Sequence, residues 1–170
     1  MATRVAVICI AAVVALGLPG GGHAAENKTT VCTWGGTPAN TTGTLSIKPG
    51  LTMTPATDDL KFQATGELTG GPGCDGTMTF DGVIQAGGTC AALIFEGKVK
   101  GVPGVDRFYG PGIAGFIHEF LYDKDGNIVG SDQPQVWSGA GSEEGSEVSD
   151  CNTEAGFTDG IFSSTVEFYG

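Results

Sequence analysis

The sequence predicts an all-β domain, built as an antiparallel barrel of about eight strands with two disulfides; a two-sheet β-sandwich is the alternative. Three observations lead to this fold class. Short runs rich in Thr, Val, Ile and Phe recur between Gly, Pro and Asp, glycine accounts for 30 of 170 residues, and no stretch has helical periodicity. Mostly sequential hairpins favour the barrel, because strands that are neighbours in the chain usually pair.

The first 24 residues are predicted to be a signal peptide and are left out of the fold. Arg4 precedes an apolar run, Val5 to Leu18, that is short for a membrane span. Gly22 and Ala24 then place small residues at the −3 and −1 positions of a cleavage site. We therefore expect one secreted domain over residues 25–170, with no membrane span after signal removal.

The clearest strand covers residues 60–68, where even-numbered positions are apolar or small and odd-numbered positions are polar. Such alternation puts one face in a core and the other in water. Residues 91–100 place Leu93 and Phe95 on one side, and residues 162–168 alternate in the same way. Weaker strand candidates are residues 30–34, 43–48, 77–84, 115–122 and 133–138.

Two segments are predicted to be loops. Residues 101–115 are rich in Gly and Pro, and we expect them to lack regular structure. Residues 139–150 form an acidic loop with four carboxylates, which is a second, unspecific candidate for cation binding.

The cysteines agree with export. Four remain after signal removal, which suggests two disulfides with three possible connectivities. A continuous strand at 77–84 excludes Cys74–Cys90, because its ends lie about 25 Å apart. Asp81-Gly82 weakens that exclusion, since it offers a turn. Cys32 and Cys90 lie in or beside strands and Cys74 and Cys151 in loops, so the preferred pairing is Cys32–Cys90 with Cys74–Cys151.

The charge excludes some partners. The formal net charge is −11, and it becomes −12 when Arg4 is removed with a segment that contains no acid. A chain this acidic repels phosphate groups, so we expect no nucleic-acid partner and no attraction to anionic membranes. No cofactor is expected either, because no cofactor motif occurs in the sequence.

One stretch of the chain carries a resemblance to known proteins. Residues 47–52 (IKPGLT), residues 66–70 (GELTG), Val31-Cys32, Cys74 and Cys90 are its elements. Over roughly residues 32–98 the chain resembles small secreted β-rich proteins of actinobacteria that have no assigned activity. The resemblance implies export and β-structure, and it implies no functional residue.

Catalysis has few candidates in this sequence. His118 is the only imidazole of the mature chain, and Glu119 follows it directly. The alternating pattern places His118 on one face with Phe116 and Phe120, a setting typical of packed residues. A hydrolase that uses acidic residues and His118 is therefore an alternative to the preferred reading, in which the protein is not an enzyme.

Residues 123–127 (DKDGN) begin like a calcium-binding loop. That loop needs Gly at position 6 and Glu at position 12, where this chain has Ile128 and Pro134. Asp125-Gly126 between apolar runs is instead a strong hairpin signal. We therefore predict a turn, and no metal site.

Aromatic side chains are the remaining candidates for binding. Trp34 and Trp137 either line a pocket mouth or fill the core, and Phe108 and Tyr109 are expected to be exposed in a loop. The preferred hypothesis is a secreted non-enzymatic barrel that binds a small apolar ligand or a cell-surface component. Besides the hydrolase, a structural or surface-interaction protein with no pocket is an alternative.

Overall fold

The computed structural model describes residues 28–113, 116–138 and 149–170. These residues form twelve strands and one short 3₁₀-helix, Ser149–Asn152. The strands are β1 (Thr30–Trp34), β2 (Gly36–Thr37), β3 (Asn40–Thr41), β4 (Gly43–Leu51), β5 (Leu60–Thr69), β6 (Thr77–Ile84), β7 (Ala92–Lys100), β8 (Arg107–Ile113), β9 (Phe116–Ile117), β10 (Glu119–Tyr122), β11 (Ile128–Trp137) and β12 (Phe157–Phe168).

The predicted signal peptide, residues 1–24, lies outside the described residues, as does most of the acidic loop at 139–150. Among the residues that are described, no helix has the length and apolar character needed to cross a membrane.

The long strands form one antiparallel sheet that closes on itself as an eight-stranded barrel. Each strand from β4 to β8 pairs with the next one, β8 pairs with β9 and β10, and β10 to β12 continue the wall. The barrel closes where β12 returns to β4. The predicted fold class is confirmed, and the sandwich alternative is excluded.

One position of the barrel is shared by two strands. The first half of β12 pairs with β4, and its second half pairs with β1. β1 also contacts the end of β5, where Trp34 is opposite Leu68. Between β1 and β4 the chain leaves the wall as a small hairpin, β2–β3. Residues 30–34 and 43–48, predicted as two separate strands, therefore fill a single place in the wall.

The eighth place is filled by a strand that the sequence did not predict. Residues 107–113 were expected to be irregular, yet they form β8, which pairs with β7 on one side and β10 on the other. Its glycines permit this arrangement. A side chain at Gly110 would collide with the backbone of His118 and Glu119, so only glycine lets β8 and β10 approach this closely.

The two disulfides lie at opposite ends of the barrel, the Cys74 end and the Cys90 end. Cys32 of β1 is bonded to Cys74 in the β5–β6 turn, and Cys90 in the β6–β7 turn is bonded to Cys151 before β12. The predicted pairing, Cys32–Cys90 with Cys74–Cys151, is therefore wrong. Either of those bonds would have to span most of the length of β6. Two cysteines that both lie in strands, or both in loops, need not lie at the same end of the barrel.

The interior of the barrel is filled mainly by aromatic rings. Phe80 stacks on Phe108 with 4.3 Å between ring centroids, and Trp34 packs against Phe80 at 4.5 Å and Phe162 at 4.3 Å. With Phe62 and Phe95, which pack against each other, these rings come from six different strands. Most of the barrel interior is therefore a packed aromatic core.

Candidate functional site

An internal cavity of about 80 Å³ lies in the barrel toward the Cys90 end. A water molecule needs roughly 10–15 Å³ and a cavity that binds benzene measures about 150 Å³, so this space suits a molecule of a few non-hydrogen atoms. Its wall is almost entirely apolar. The lining residues are Trp34, Leu45, Ile47, Leu51, Phe62, Ala64, Phe80, Cys90, Leu93, Phe95, Gly112, Ile117, Glu119, Pro134, Val136, Phe157 and Phe162.

Trp34 contributes a fixed aromatic surface to this wall. Its indole Nε1 donates hydrogen bonds to the backbone oxygens of Gly66 and Met78, both at 3.1 Å. The only polar atom of the side chain is thus satisfied by backbone, and the side chain is 1% exposed. The indole ring is therefore held in place and adds apolar surface to the cavity.

Glu119 is the one ionisable side chain that lines the cavity among the described residues. It is inward-facing at the start of β10, between Ile117 and Leu121, and only 2% of it is exposed. A carboxyl group in such a place is costly to ionise, because the apolar wall offers no solvation for a charge.

Asp132 lies directly opposite Glu119 on β11 and is equally buried. Its Oδ2 accepts a hydrogen bond of 3.1 Å from the hydroxyl of Ser164 on β12. Its Oδ1 has no hydrogen-bond partner among the described residues. The inward faces of three adjacent strands thus bring two carboxyl groups and one hydroxyl together inside the barrel.

Both carboxyl groups hold their protons unusually tightly. Burial raises the pKa of Glu119 well above its usual value, and the Asp132 carboxyl raises it further. Burial also raises the pKa of Asp132, to about 7, although hydrogen bonds from Glu119 and Ser164 lower it. The pair is therefore at least partly protonated at neutral pH.

The aromatic residues predicted to bind a ligand are not brought together. Trp34 lines the cavity, whereas Trp137 is buried but does not line it. Phe108 and Tyr109, expected to be exposed in a loop, lie on opposite faces of β8. Phe108 is packed in the core against Phe80, and Tyr109 is on the outer surface.

His118 is half-buried on the outer face of the barrel wall, on the same side as Phe116 and Phe120. Its ring stacks on that of Phe120 with 4.7 Å between centroids, and its Nε2 has no hydrogen-bond partner within the described part of the chain. Since adjacent residues of a strand point to opposite faces, His118 and Glu119 cannot reach a common substrate from one side of the sheet.

The segment that begins like a calcium loop is a hairpin turn. Asp123 Oδ1 accepts hydrogen bonds from the backbone N–H groups of Asp125 and Asn127, and Oδ2 accepts one from the Asn127 amide. These hydrogen bonds lower the pKa of Asp123, and the bond from the Asn127 side chain has the largest effect. The predicted turn is confirmed, and in the described ranges no three potential ligands cluster as a metal site.

A second depression, of about 490 Å³, lies at the Cys74 end. Much of its wall is the backbone of a Gly- and Pro-rich loop, residues 101–105, together with Phe168 and Tyr169. Ligand sites usually combine an apolar wall with a few converging polar groups. The internal cavity with Glu119 fits that description better, and it is the candidate site.

Comparison of the chain with protein-family models, with curated proteins and with solved structures found no match. The geometry of the site is therefore the basis for the function proposed below.

Proposed function

We propose that this chain is a secreted, non-enzymatic β-barrel protein that binds a small apolar ligand inside the barrel. The observation that carries the proposal is the cavity of about 80 Å³ with its nearly continuous apolar wall. Protein interiors are close-packed, and an apolar void forfeits contacts that a ligand would restore. A space of this kind in an otherwise packed core is therefore a natural binding site.

Secretion is supported by the leader-like residues 1–24, by the two disulfides and by the resemblance over residues 32–98 to exported proteins. Disulfides form and persist in oxidising compartments. The strongly acidic composition is also compatible with a soluble exported domain.

The absence of an enzymatic role is supported by the placement of the acidic groups. Glycoside hydrolysis needs two carboxyl groups that flank a cleft open to the substrate. Glu119 and Asp132 instead contact each other in the barrel interior, and the imidazole of His118 is on the other side of the sheet. This arrangement suits binding rather than hydrolysis.

A substitution that fills the cavity tests this proposal. Ala64→Leu adds three carbon atoms to a buried side chain of the cavity wall, and Ala92→Leu makes the same change on the exposed face of β7 as a matched control. We expect xenon and ethane to raise the melting temperature of the wild-type protein and of Ala92→Leu, because a ligand that binds only the folded state stabilises it. Ala64→Leu should abolish the rise.

Trp34 gives a second readout, since it lines the cavity. In a Trp137→Phe background it is the sole tryptophan, and its emission should change on titration with the same probes. No rise in melting temperature and no change in emission for the wild-type cavity would contradict the proposal, as would unchanged binding in Ala64→Leu.

A further inference from the structure

The two buried carboxyl groups have no cationic partner in the described structure. Buried acids are ordinarily paired with a cation or held by several hydrogen bonds, because ionisation in an apolar setting is otherwise expensive. Across residues 28–113, 116–138 and 149–170 the only ion pair joins Lys100 to Asp81, and it lies on the outer surface.

The elements that surround Glu119 contain nothing that replaces such a cation. From β8 the facing residue is Gly110, which has no side chain. From β11 it is Asp132, and from β12 the nearest polar group is the Ser164 hydroxyl, which donates to Asp132. The Oδ1 atom of Asp132 remains without a partner. Among the described residues, the polar groups that approach the cluster are thus two carboxyl groups and one hydroxyl, and none of them carries a positive charge.

We propose that the ligand of this cavity is a small aliphatic amine, bound as its ammonium ion against Glu119 with its apolar chain toward Trp34 and Phe162. This inference rests on the proposed function and specifies its ligand. Glu119 lines the cavity while the rest of the wall is apolar, so the space has one place for a positive group and an apolar remainder. The ammonium ion supplies the cationic partner that the two carboxyl groups lack in the described structure.

The size of the cavity limits the chain of the amine. About 80 Å³ is roughly half of the volume that accommodates benzene, so we expect methyl- and ethylamine to fit and longer chains to be excluded.

Binding must be linked to proton release. The free pair retains a proton near neutral pH, whereas an ammonium ion is best held by an ionised carboxylate. The amine arrives already protonated, since aliphatic amines lose their proton only near pH 10. The proton of the pair therefore leaves to solvent when the ammonium binds, and affinity for the amine increases as pH rises from 6 to 8.

Calorimetric titration of the mature protein with ethylamine and ethanol tests the inference. The two probes have the same carbon chain and differ in the charged group. We expect ethylamine to bind at least tenfold more tightly than ethanol at pH 8, and its advantage to shrink at pH 6. Titration in two buffers of different ionisation heat should show release of a proton on binding of the amine only.

Glu119→Gln keeps the shape of the side chain and removes its charge, and Glu96→Gln makes the same change on the exposed face of β7. The first variant should lose the preference for the amine and retain ethanol binding, and the second should behave as wild type. Equal affinity of wild type for both probes without proton release would overturn the amine inference alone. No binding of either probe, nor of xenon, would overturn the proposed function as well. The wild-type measurements decide the matter even if Glu119→Gln does not fold.

Discussion

Glu119 and Asp132 are carboxyl groups at inward-facing positions of a barrel whose interior is mostly apolar. In the unfolded chain Asp132 loses its proton near pH 4, and in the folded protein its pKa is about 7. Between these values the folded state binds a proton that the unfolded state has released. The free energy of unfolding therefore decreases as pH rises through this window, which is opposite to the behaviour of a salt-bridged carboxylate.

We predict that the wild-type protein loses a few kcal/mol of stability between pH 4 and pH 8 through this pair, since each pKa unit corresponds to about 1.4 kcal/mol. Asp132→Asn removes one titrating group and its repulsion of Glu119, so its stability should fall less over the same range. Urea unfolding at several pH values measures the difference. A pH dependence in Asp132→Asn as steep as that of Glu96→Gln, the surface control, would contradict the prediction.

The acid pair carried a weak signal in the sequence. Glu119 interrupts the apolar face formed by Ile117 and Leu121, and a hairpin turn at Asp125-Gly126 brings Asp132 opposite it. Sequence reasoning identified Glu119 only as the neighbour of His118. Asp132 was missed because its burial depends on Ser164 and the other residues of β12, which are distant in the chain.

At the scale of single elements, β8 determines which of two adjacent aromatic side chains enters the core. Its burial alternates strictly, so Phe108 points into the core and Tyr109 points out. We predict that Phe108→Ala destabilises the protein by about 3–5 kcal/mol, because it removes the ring that stacks on Phe80. Tyr109→Ala should cost less than about 1 kcal/mol. Equal losses of unfolding free energy in denaturant titrations would contradict the placement of these two side chains on opposite faces of a strand.

Most strands were predictable because alternation is a local property. β5 shows it at every position, and β7 and β12 show it over most of their length. β8 was not predictable, since Gly110, Pro111 and Gly112 read locally as a loop. Glycine is required there by the close approach of another strand, which is a tertiary constraint without a local pattern.

At the scale of the whole molecule, each disulfide fastens one end of the barrel. The closed segments span 42 and 61 residues, and the loss of either bond should reduce the free energy of unfolding by about 4 kcal/mol through the entropy of the unfolded chain. The connectivity was not predictable from spacing, because it depends on which turns share an end of the closed wall.

The two bonds should differ in their effect on the cavity. Cys90 lines it, whereas Cys32 and Cys74 lie at the other end. We predict that the double variant Cys90→Ala/Cys151→Ala weakens xenon binding, and that Cys32→Ala/Cys74→Ala leaves it nearly unchanged while costing similar stability. Melting-temperature shifts with and without xenon separate the two effects. A comparable loss of binding in both variants would contradict a cavity confined to the Cys90 end.

Because β1 and β4 share one place in the wall, the chain termini could be moved without changing the strand pairings. Thr30 pairs with Phe168, so the first and last described strands lie side by side, and the hairpin between β1 and β4 projects from the wall. Joining the two ends by a short linker and opening the chain in that hairpin would leave every strand pairing in place. The barrel is thus suited to circular permutation, and its architecture depends on which strands are neighbours rather than on where the polypeptide is cut.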